Sequence, residues 1–527
     1  MPDLLSTPVP PANGSAPTTD SSSNVYAVFG AEPEIQAYAM AKYSRSALSM
    51  RESLEEISQQ KAEKFLNTFY FQYGHRSIAD LAHIALAIER LSILAAIVIA
   101  DEPRWDGQER STRYQDFRKS GFYTPEFGED SQSRDLYRNT IENLFSSYQS
   151  LSEKVFQHLR EITPRPVDMK PEAYDRTLRA RAFDASRYLL PLATNTSLGE
   201  IVNARTLESQ VSHLLSHTHN EVRNLGELLK RAANSAAYDV NHSALRKLVD
   251  DIREHSPELA ARAEQALLKE VRVAPTLVKY ADLNPYEMET RRELRHMASE
   301  LMGGIPHETA PPVDLIDPEP LENELATTLV YEHCSHSYRQ IRQKIQDLGA
   351  TRRNEIIELG MRHRGRHDEL LRAFRAGQQF RFDILMDIGG FRDMHRHRRC
   401  VQIEQPFTTE HGYDTPREVG AAGALEDYRT AMAAASQAVT RVSQGPGPEA
   451  RENSQYVIPL GFRKRTLFKM DFSEAVYISE LRTGPAGHTS YRNVAYAMYE
   501  EVKAKYPDLA RYFRVHDVRE PVDLLKR

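Results

Sequence analysis

Apolar residues recur at three- and four-residue spacing along most of this chain, which is the pattern of amphipathic helices packed against a core. The pattern is long enough in several places to predict helices of many turns. The predicted helical segments cover residues 25–81, 134–161, 207–236, 245–271, 323–373, about 420–443, and a last stretch that reaches about Tyr512.

Short apolar runs without this spacing are the candidates for strands. They are Leu91 to Ala100, Phe382 to Gly390 and Leu467 to Phe472. The first is the longest apolar run, but its ten residues are far fewer than the roughly 20 that a helix needs to cross a bilayer. It is therefore predicted to be a buried helix or strand, and no membrane association is expected.

Glycine and proline divide the helical pattern into domains. The stretch from Gly303 to Pro320 is rich in both residues, which predicts a linker. The first 24 residues are rich in Pro, Ser and Thr and lack Lys and Arg, so they resemble neither a signal nor a transit peptide. The predicted organisation is a disordered tail over 1–24, an N-terminal domain over 25–300, a linker over 301–322 and a C-terminal domain over 323–527.

Composition limits the function classes. A net charge of -6 with 27% charged and 40% hydrophobic residues describes an ordinary soluble protein, without the basic field that nucleic-acid binding needs. Any binding of anions must therefore be local. The two cysteines, Cys334 and Cys400, are too few for a disulfide framework or a four-cysteine zinc site, so a reducing cytoplasm is expected.

The local charge that stands out lies between Phe391 and Cys400, where four arginines and two histidines occur together. Guanidinium groups match phosphate oxygens two at a time, so this stretch predicts a phosphorylated ligand. The alternative is a solvated basic helix end. The pair His395 and His397 could suggest a metal, but the flanking arginines repel a dication, and no metal site is predicted.

Two segments of the first half recur in the second half. Gly121-Phe122-Tyr123-Thr124-Pro125 is echoed by Gly412-Tyr413-Asp414-Thr415-Pro416, and the segment 186–192 by 454–460. Two collinear matches separated by about half the chain predict a duplicated domain and not a repeat array.

The polar positions of the two halves have diverged in a complementary way, because charged residues lost from one half are retained in the other. This pattern predicts one working cleft built from both halves, and a degenerate second cleft that does not bind nucleotide. Arg396-His397-Arg398 stands opposite Asp101-Glu102-Pro103; Glu109, Ser111 and Arg113 stand opposite Glu404, Pro406 and Thr408; Arg187 stands opposite Gln455, and Arg482 opposite Leu214.

Together these residues resemble the flavin-dependent thymidylate synthases. The signature of that family is split here, with Arg396-His397-Arg398 supplying its beginning and Glu109-x-Ser111-x-Arg113-Tyr114 its end. Gly74-His75-Arg76-Ser77, Arg187-x-x-Leu190-Pro191-Leu192 and Asn203-Ala204-Arg205 are similar to further family motifs. The resemblance implies an α+β fold of two tandem domains, each a small mixed sheet wrapped by long helices.

The resemblance also implies an activity: methylation of dUMP at ring carbon five, with methylenetetrahydrofolate as carbon donor, reduced FAD as hydride donor and NADPH as reductant. Family members form tetramers, so two fused chains are expected to form a homodimer. Arg482 is the expected catalytic residue. The residues expected to bind dUMP are Glu109, Ser111, Arg113, Arg187, Asp393 and Arg396; those expected to bind FAD are His75, Ser77, Asn203, Arg205, Ser209, His397 and Arg398.

Asp393 departs from the family pattern, because a glutamine often stands at this position and contacts the nucleotide. An ionised carboxylate cannot donate a hydrogen bond as an amide does, so the identity of the pyrimidine stays open. Two alternatives therefore remain beside thymidylate synthesis. One is a flavoenzyme that acts on another pyrimidine nucleotide, and the other is a non-catalytic scaffold that binds flavin or nucleotide.

Overall fold

The computed structural model describes residues 30–42, 53–54, 76–118, 120–365 and 368–525. The tail predicted over 1–24 and most of the helical pattern predicted over 25–81 lie outside these residues. Within that pattern the structure describes helix α1 (Pro33–Lys42) and a short 3₁₀ helix, Arg76–Leu81.

Helices form most of the remaining architecture. They are α2 (Ile93–Ala100), α3 (Ser131–Ile162), α4 (Pro171–Ser186), α5 (Ala204–Leu215), α6 (Asn220–Asn234), α7 (His242–His255), α8 (Pro257–Leu267), α9 (Pro285–Met302), α10 (Leu321–Tyr331), α11 (Tyr338–Gln346), α12 (Ala350–Leu359), α13 (Ile388–Met394), α14 (Arg417–Ala421), α15 (Leu425–Ser443), α16 (Ala450–Gln455), α17 (Phe472–Thr483), α18 (Thr489–Lys505) and α19 (Pro507–Ala510). Among the described helices, none is both long and apolar enough to cross a membrane.

The spacing of apolar residues predicts where helices occur better than it predicts how long each helix is. The helix predicted over 134–161 is confirmed as α3, whose buried stripe includes Tyr137, Ile141, Leu144, Tyr148, Leu151 and Val155. Each of the segments 207–236 and 245–271 is instead a pair of helices. The second pair divides at Ser256, which accepts a hydrogen bond from the Leu259 amide (3.3 Å) and precedes a proline at the start of α8.

Two antiparallel sheets lie among these helices, which confirms the α+β class. The expectation of mixed sheets was wrong, because every strand pair in the described sheets is antiparallel. The first sheet has the order β1-β3-β2, and the second has the order β4-β5-β7-β6. The edge strand β4 lies within the stretch expected to be a linker. The strands are β1 (His83–Ser92), β2 (Asp106–Glu109), β3 (Asn195–Asn203), β4 (Val313–Leu315), β5 (Phe380–Asp387), β6 (Val401–Glu404) and β7 (Arg463–Met470).

Two of the apolar runs change from strand to helix at a capping residue. In the first half Ser92 ends β1, and its hydroxyl accepts a hydrogen bond from the Ala95 amide (3.0 Å) at the start of α2. In the second half Asp387 ends β5 and accepts from the Gly390 amide (2.7 Å) at the start of α13. Because a cap satisfies amides that the first helical turn leaves free, one polar residue in an apolar run sets the boundary.

An approximate two-fold axis relates the two halves, and it passes near the antiparallel bridge between Pro191 and Pro459. The Leu192 amide donates to the Ile458 carbonyl (2.9 Å), and the equivalent Leu460 amide donates to the Leu190 carbonyl (2.9 Å). The segments 186–192 and 454–460, which the sequence predicts to be equivalent, therefore pair directly with each other. The halves meet at their repeated motif, and this contact brings residues of both halves to common clefts.

One close backbone approach in the first sheet gives a stability prediction. A Cβ at Gly107 would overlap the carbonyl oxygen of Gly199 and lie 2.7 Å from Cζ2 of Trp105. Gly107→Ala is therefore expected to lower the free energy of unfolding by about 1–3 kcal/mol, measured by thermal denaturation. Gly420→Ala is the control, because its added Cβ meets nothing within 4 Å. Equal melting temperatures for the two variants would contradict the packing described here.

A buried carboxylate on β3 gives a second prediction. Burial raises the pKa of Glu200 from 4.5 to about 7. Since the raised pKa favours the protonated acid in the folded state, its stabilisation is present below pH 4.5 and is lost as pH rises through 7. Glu200→Gln should remove that loss, which amounts to about 3 kcal/mol at about 1.4 kcal/mol per pKa unit. Denaturant unfolding at pH 4.5 and pH 8 measures it, and parallel profiles for wild type and variant would refute it.

Candidate functional site

Four arginines lie close enough to Asp393 to act on its charge. Arg113 and Arg187 belong to the first half, in the turn after β2 and at the end of α4. Arg396 and Arg482 belong to the second half, in the turn after α13 and in the last turn of α17. Burial would raise the pKa of Asp393, but the four guanidiniums outweigh burial and hold it below its usual value. The space around Asp393 bordered by these arginines is called the first cleft.

Arg187 has buried hydrogen-bond donors that remain unused. Its side chain is 2% exposed, and its Nη1 lies 3.5 Å from both Thr112 Oγ1 and Asp393 Oδ2. Its Nε and Nη2 have no hydrogen-bond partner in the described part of the chain. Buried polar groups are nearly always satisfied, so the free edge of this guanidinium is suited to an anionic ligand.

Arg113 is fixed in place by residues from both halves. Its Nε donates to Asp184 Oδ1 (2.8 Å), its Nη1 to Tyr491 Oη (2.9 Å) and its Nη2 to the Ala486 carbonyl (3.1 Å). Burial opposes the charge, but Asp184 outweighs it and raises the pKa of Arg113 above its usual value. Arg113 therefore contributes a rigid positive charge to the first cleft.

Arg482 belongs to a short hydrogen-bonded chain. Its Nε donates to Nε2 of His397 (2.8 Å), and Nδ1 of His397 lies 3.4 Å from Oε1 of Glu474. An accepting Nε2 places the imidazole proton on Nδ1, toward Glu474. Burial lowers the pKa of His397, which keeps the ring neutral at pH 7. The two terminal nitrogens of Arg482 have no hydrogen-bond partner among the described residues, so the chain orients a guanidinium whose outer donors remain available.

The Glu109-x-Ser111-x-Arg113 motif is held by residues that the motif itself does not contain. Glu109 pairs with Nη2 of Arg392, whose Nη1 donates to Thr112 Oγ1 (3.3 Å). Ser111 accepts a hydrogen bond from the backbone amide of Arg113 (3.2 Å), which tightens the turn. The Ser111 oxygen is thus engaged locally, and Glu109 is joined to the second half.

Sequence reasoning missed five residues that hold the first cleft together. Two of them had a signal, because Thr112 lies inside a motif and Arg392 lies in the basic stretch. The others are distant in sequence from the side chains they contact, which are Arg113 for Asp184 and Tyr491, and His397 for Glu474, and no spacing reveals them. The five residues are Thr112, Asp184, Arg392, Glu474 and Tyr491.

The residues expected to bind FAD have separate environments in one chain. Arg398 pairs with Asp106 (2.7 Å), and its guanidinium lies 4.7 Å from the Trp105 ring centre. Arg205 pairs with Asp80 (3.2 Å). His75 and the side chain of Ser77 lie outside the described residues, while Asn203 accepts from the Thr206 amide (2.8 Å) and caps α5. Their assignment to one flavin site stays a prediction.

A cavity of about 710 Å³ lies at the position equivalent to the first cleft under the two-fold relation, and it is called the second cleft. Asp101, Leu214 and Gln455 line it at the positions that Arg396, Arg482 and Arg187 occupy in the first cleft. Arg205 and Ser209 line the second cleft as well. Two arginines predicted to bind nucleotide are thus replaced here by an acid and an amide, and the arginine predicted to be catalytic is replaced by an apolar residue.

One group beside the second cleft has the composition of a metal site. Ligand atoms of Asp101, His395 and Glu404 lie within 4.8 Å of one another. Each carboxylate already has a cationic partner, because Asp101 pairs with Arg372 and Glu404 lies 3.0 Å from the ammonium of Lys464. These cations neutralise the charge that would attract a dication, so the group fits a buried ion-pair network better than a metal site.

Comparison with known proteins matches both halves to one family. The model of the family described as "Thymidylate synthase complementing protein" matches residues 27–237 and 322–508. A UPF0159 protein of Chlamydia pneumoniae is 27% identical over 528 residues, covering 95% of this chain and 93% of the relative. A flavin-dependent thymidylate synthase of Clostridium tetani is 25% identical over 214 residues, covering 39% of this chain and 82% of the relative.

Among solved structures, this chain is similar to the flavin-dependent thymidylate synthase ThyX of Helicobacter pylori complexed with FAD and dUMP. The identity is 16%, the TM-score is 0.26, and the match covers 38% of this chain and 89% of the other.

Proposed function

This chain belongs to the family of thymidylate synthase complementing proteins, and from that premise we propose that its first cleft methylates a pyrimidine nucleotide, with dUMP as the first candidate. The proposal concerns one composite site per chain, with residues of both halves around Asp393. Thymidylate synthesis is favoured by the similarity of each half to the family and by the flavin-dependent synthase among the relatives.

The observation that supports the proposal best is the convergence of two arginines from each half on one carboxylate, with unused donors on Arg187. Arg113 and Arg187 are buried, and a buried cation is costly unless an anion neutralises it. Asp184 pairs with Arg113 (2.8 Å), but Asp393 alone does not balance the other three guanidiniums. A nucleotide phosphate supplies the remaining charge and accepts bidentate hydrogen bonds.

Each residue then has a role that follows from its contacts. Arg187 holds the phosphate with its free Nε and Nη2, while Arg113 and Arg396 supply further positive charge. Arg482 donates from its terminal nitrogens to a uracil carbonyl, and stabilises negative charge on the ring as carbon five becomes a nucleophile. His397 and Glu474 position Arg482. Glu109 and Ser111 border the nucleotide, with Glu109 held by Arg392.

The residues also fit an anionic flavin cofactor. Nε of Arg398 is buried without a hydrogen-bond partner, and the guanidinium of Arg205 is 29% exposed on the side of the second cleft. Such donors suit the diphosphate of FAD, with His397, Asn203, Ser209, His75 and Ser77 as its further proposed neighbours. When bound, FAD supplies the hydride for the reduction, methylenetetrahydrofolate supplies the carbon, and NADPH reduces the flavin.

We propose that two chains form a homodimer, since each chain corresponds to two halves that match the family model separately. We place the protein in the cytoplasm, since Cys334 and Cys400 are both free thiols.

A specific observation favours a second candidate, which is the same chemistry on a different pyrimidine nucleotide. Asp393 is held ionised by the arginines around it, so it can accept hydrogen bonds and cannot donate them. An acceptor at this place suits a ring that carries an amino group better than it suits the carbonyl-rich edge of uracil.

The experiment begins with the visible absorption spectrum of the purified protein, which should show bound flavin. The protein is then incubated with methylenetetrahydrofolate, NADPH and either dUMP or dCMP, and the methylated nucleotide is identified by mass spectrometry. Formation of dTMP, together with growth of a thymidine auxotroph carrying the gene, supports the first candidate. Methylation of dCMP alone supports the second.

Absence of flavin binding combined with absence of dUMP or dCMP binding in calorimetry would refute both candidates. A protein that binds flavin and nucleotide but produces no methylated nucleotide under these conditions would instead be the non-catalytic scaffold, and the proposed activity would be wrong.

A further inference from the structure

The second cleft is closed by a segment that lies outside the family match. Residues 238–321 separate the two matched segments, and the loop 280–284 and helix α9 from this region line the cavity. Ser212 Oγ on α5 donates to the Asp282 carbonyl (2.7 Å), and the Asn284 amide donates to Ser216 Oγ (2.6 Å). On the same side, Nε2 of His213 lies 3.0 Å from Oε1 of Glu287. These contacts fix the elements that border the cavity to each other.

The second cleft carries arginines at positions where the first cleft has none. Helix α9 contributes Arg291 and Arg295, and Arg451 stands where the first half has Phe183. Arg291 pairs with Glu287 (3.1 Å), whereas Arg295 and Arg451 form no ion pair within the described ranges of the chain. Two guanidiniums that line this cavity are therefore available to a ligand.

Histidines line the same region of the cavity. Nδ1 of His217 accepts from the His219 amide (3.2 Å), and the two rings stack at 5.1 Å. His219 is only 5% exposed, and its Nε2 has no hydrogen-bond partner in the described structure. Burial first, and then nearby arginines that include Arg295, lower the pKa of His219 to about 4 and that of His333 to about 3. The rings are neutral at pH 7, so the local positive potential comes from the arginines.

We propose that the second cleft is a binding site for a phosphorylated small molecule distinct from the substrate of the first cleft, held by Arg295, Arg451 and Nε2 of His219. The volume of about 710 Å³ lies within the range of metabolite and cofactor pockets. Guanidiniums recognise phosphate oxygens in pairs, and the buried imidazole nitrogen gains the hydrogen bond that it lacks. The inference does not depend on the proposed methylation, because it concerns residues absent from the first cleft.

The test uses pyrophosphate as the probe in isothermal titration calorimetry at constant ionic strength, with full-length protein saturated with FAD, so that Arg205 and Arg398 of the proposed flavin site are already occupied. Arg187→Met removes the free donors of the first cleft and should leave one pyrophosphate site. Adding Arg295→Ala and Arg451→Ala should weaken that site at least ten-fold. The matched control carries Arg187→Met, Arg292→Ala and Arg451→Ala. Arg292 lies on the same helix as Arg295, pairs with Glu289 and does not line the cavity.

The inference is overturned if the Arg187→Met protein binds no pyrophosphate, or if the triple variant binds it as tightly as Arg187→Met does. Citrate separates phosphate recognition from general anion binding, and equal affinity for citrate would overturn the assignment to phosphorylated ligands. Both arginines are exposed, so their removal should leave the melting temperature of the probe-free protein unchanged, and a large fall would contradict their description as free donors.

Discussion

Replacing Arg482 with alanine is expected to lower the turnover number of nucleotide methylation by about 10²–10³-fold while leaving the flavin spectrum intact. The reason is the geometry of its side chain. Its Nε is committed to His397, so the guanidinium is held in one orientation before substrate arrives, and its outer nitrogens have no partner among the described residues. Donors that need no reorganisation stabilise developing charge best.

The measurement follows the hydrogen at carbon five of the pyrimidine ring, because methylation there releases it. Protein with dUMP labelled at this position should release label at the wild-type rate in the control Arg399→Ala and far more slowly in Arg482→Ala. Arg399 belongs to the same basic turn, but its side chain is 73% exposed. Wild-type release by Arg482→Ala would remove Arg482 from the reaction, and loss of the flavin spectrum would make it a cofactor-binding residue instead.

The convergence of residues from both halves around Asp393 could be predicted from sequence, because equivalent positions of the two halves carry different residues. Arg396 has Asp101 as its counterpart, and Arg187 has Gln455, so each half visibly lacks what the other retains. The pairing of the repeated segments at Pro191 and Pro459 supplies the physical reason. Equivalent elements meet at the axis, and a site built across the axis needs only one complete set of side chains.

The parts that could not be predicted depend on contacts between distant residues or on single capping groups. Tyr491 holds Arg113 across 378 residues, and no local pattern marks that contact. The boundary inside the apolar run 91–100 depends on Ser92, whose hydroxyl also donates to Glu221 (2.6 Å). The second cleft is bordered by α9, a helix that lies outside the segments predicted to be helical, so neither the helix nor its place beside the cleft was predicted.

Replacing Arg187 with methionine is expected to weaken dUMP binding by about 10²-fold or more without lowering the melting temperature. The affinity should fall while the melting temperature does not, because Arg187 is buried with two nitrogens that lack hydrogen-bond partners. The charge of Arg187 therefore adds little to the stability of the folded protein. Exchanging a buried charge for an apolar side chain of similar volume is often neutral or stabilising. Asp393 would keep the other three arginines near it. Asp387 also lies near Arg187, but burial already raises its pKa to about 6 and favours its protonated form.

Calorimetric titration with dUMP and a thermal melt of the same preparations test this separation, with Arg176→Met as the matched control. Arg176 lies on α4, the helix that ends next to Arg187. Its side chain is exposed, so its replacement should change neither the affinity for dUMP nor the melting temperature. A variant that binds dUMP normally would remove Arg187 from the nucleotide site. A melting temperature lowered by many degrees would show that Arg187 holds the fold, because a guanidinium kept for a ligand contributes affinity and not stability.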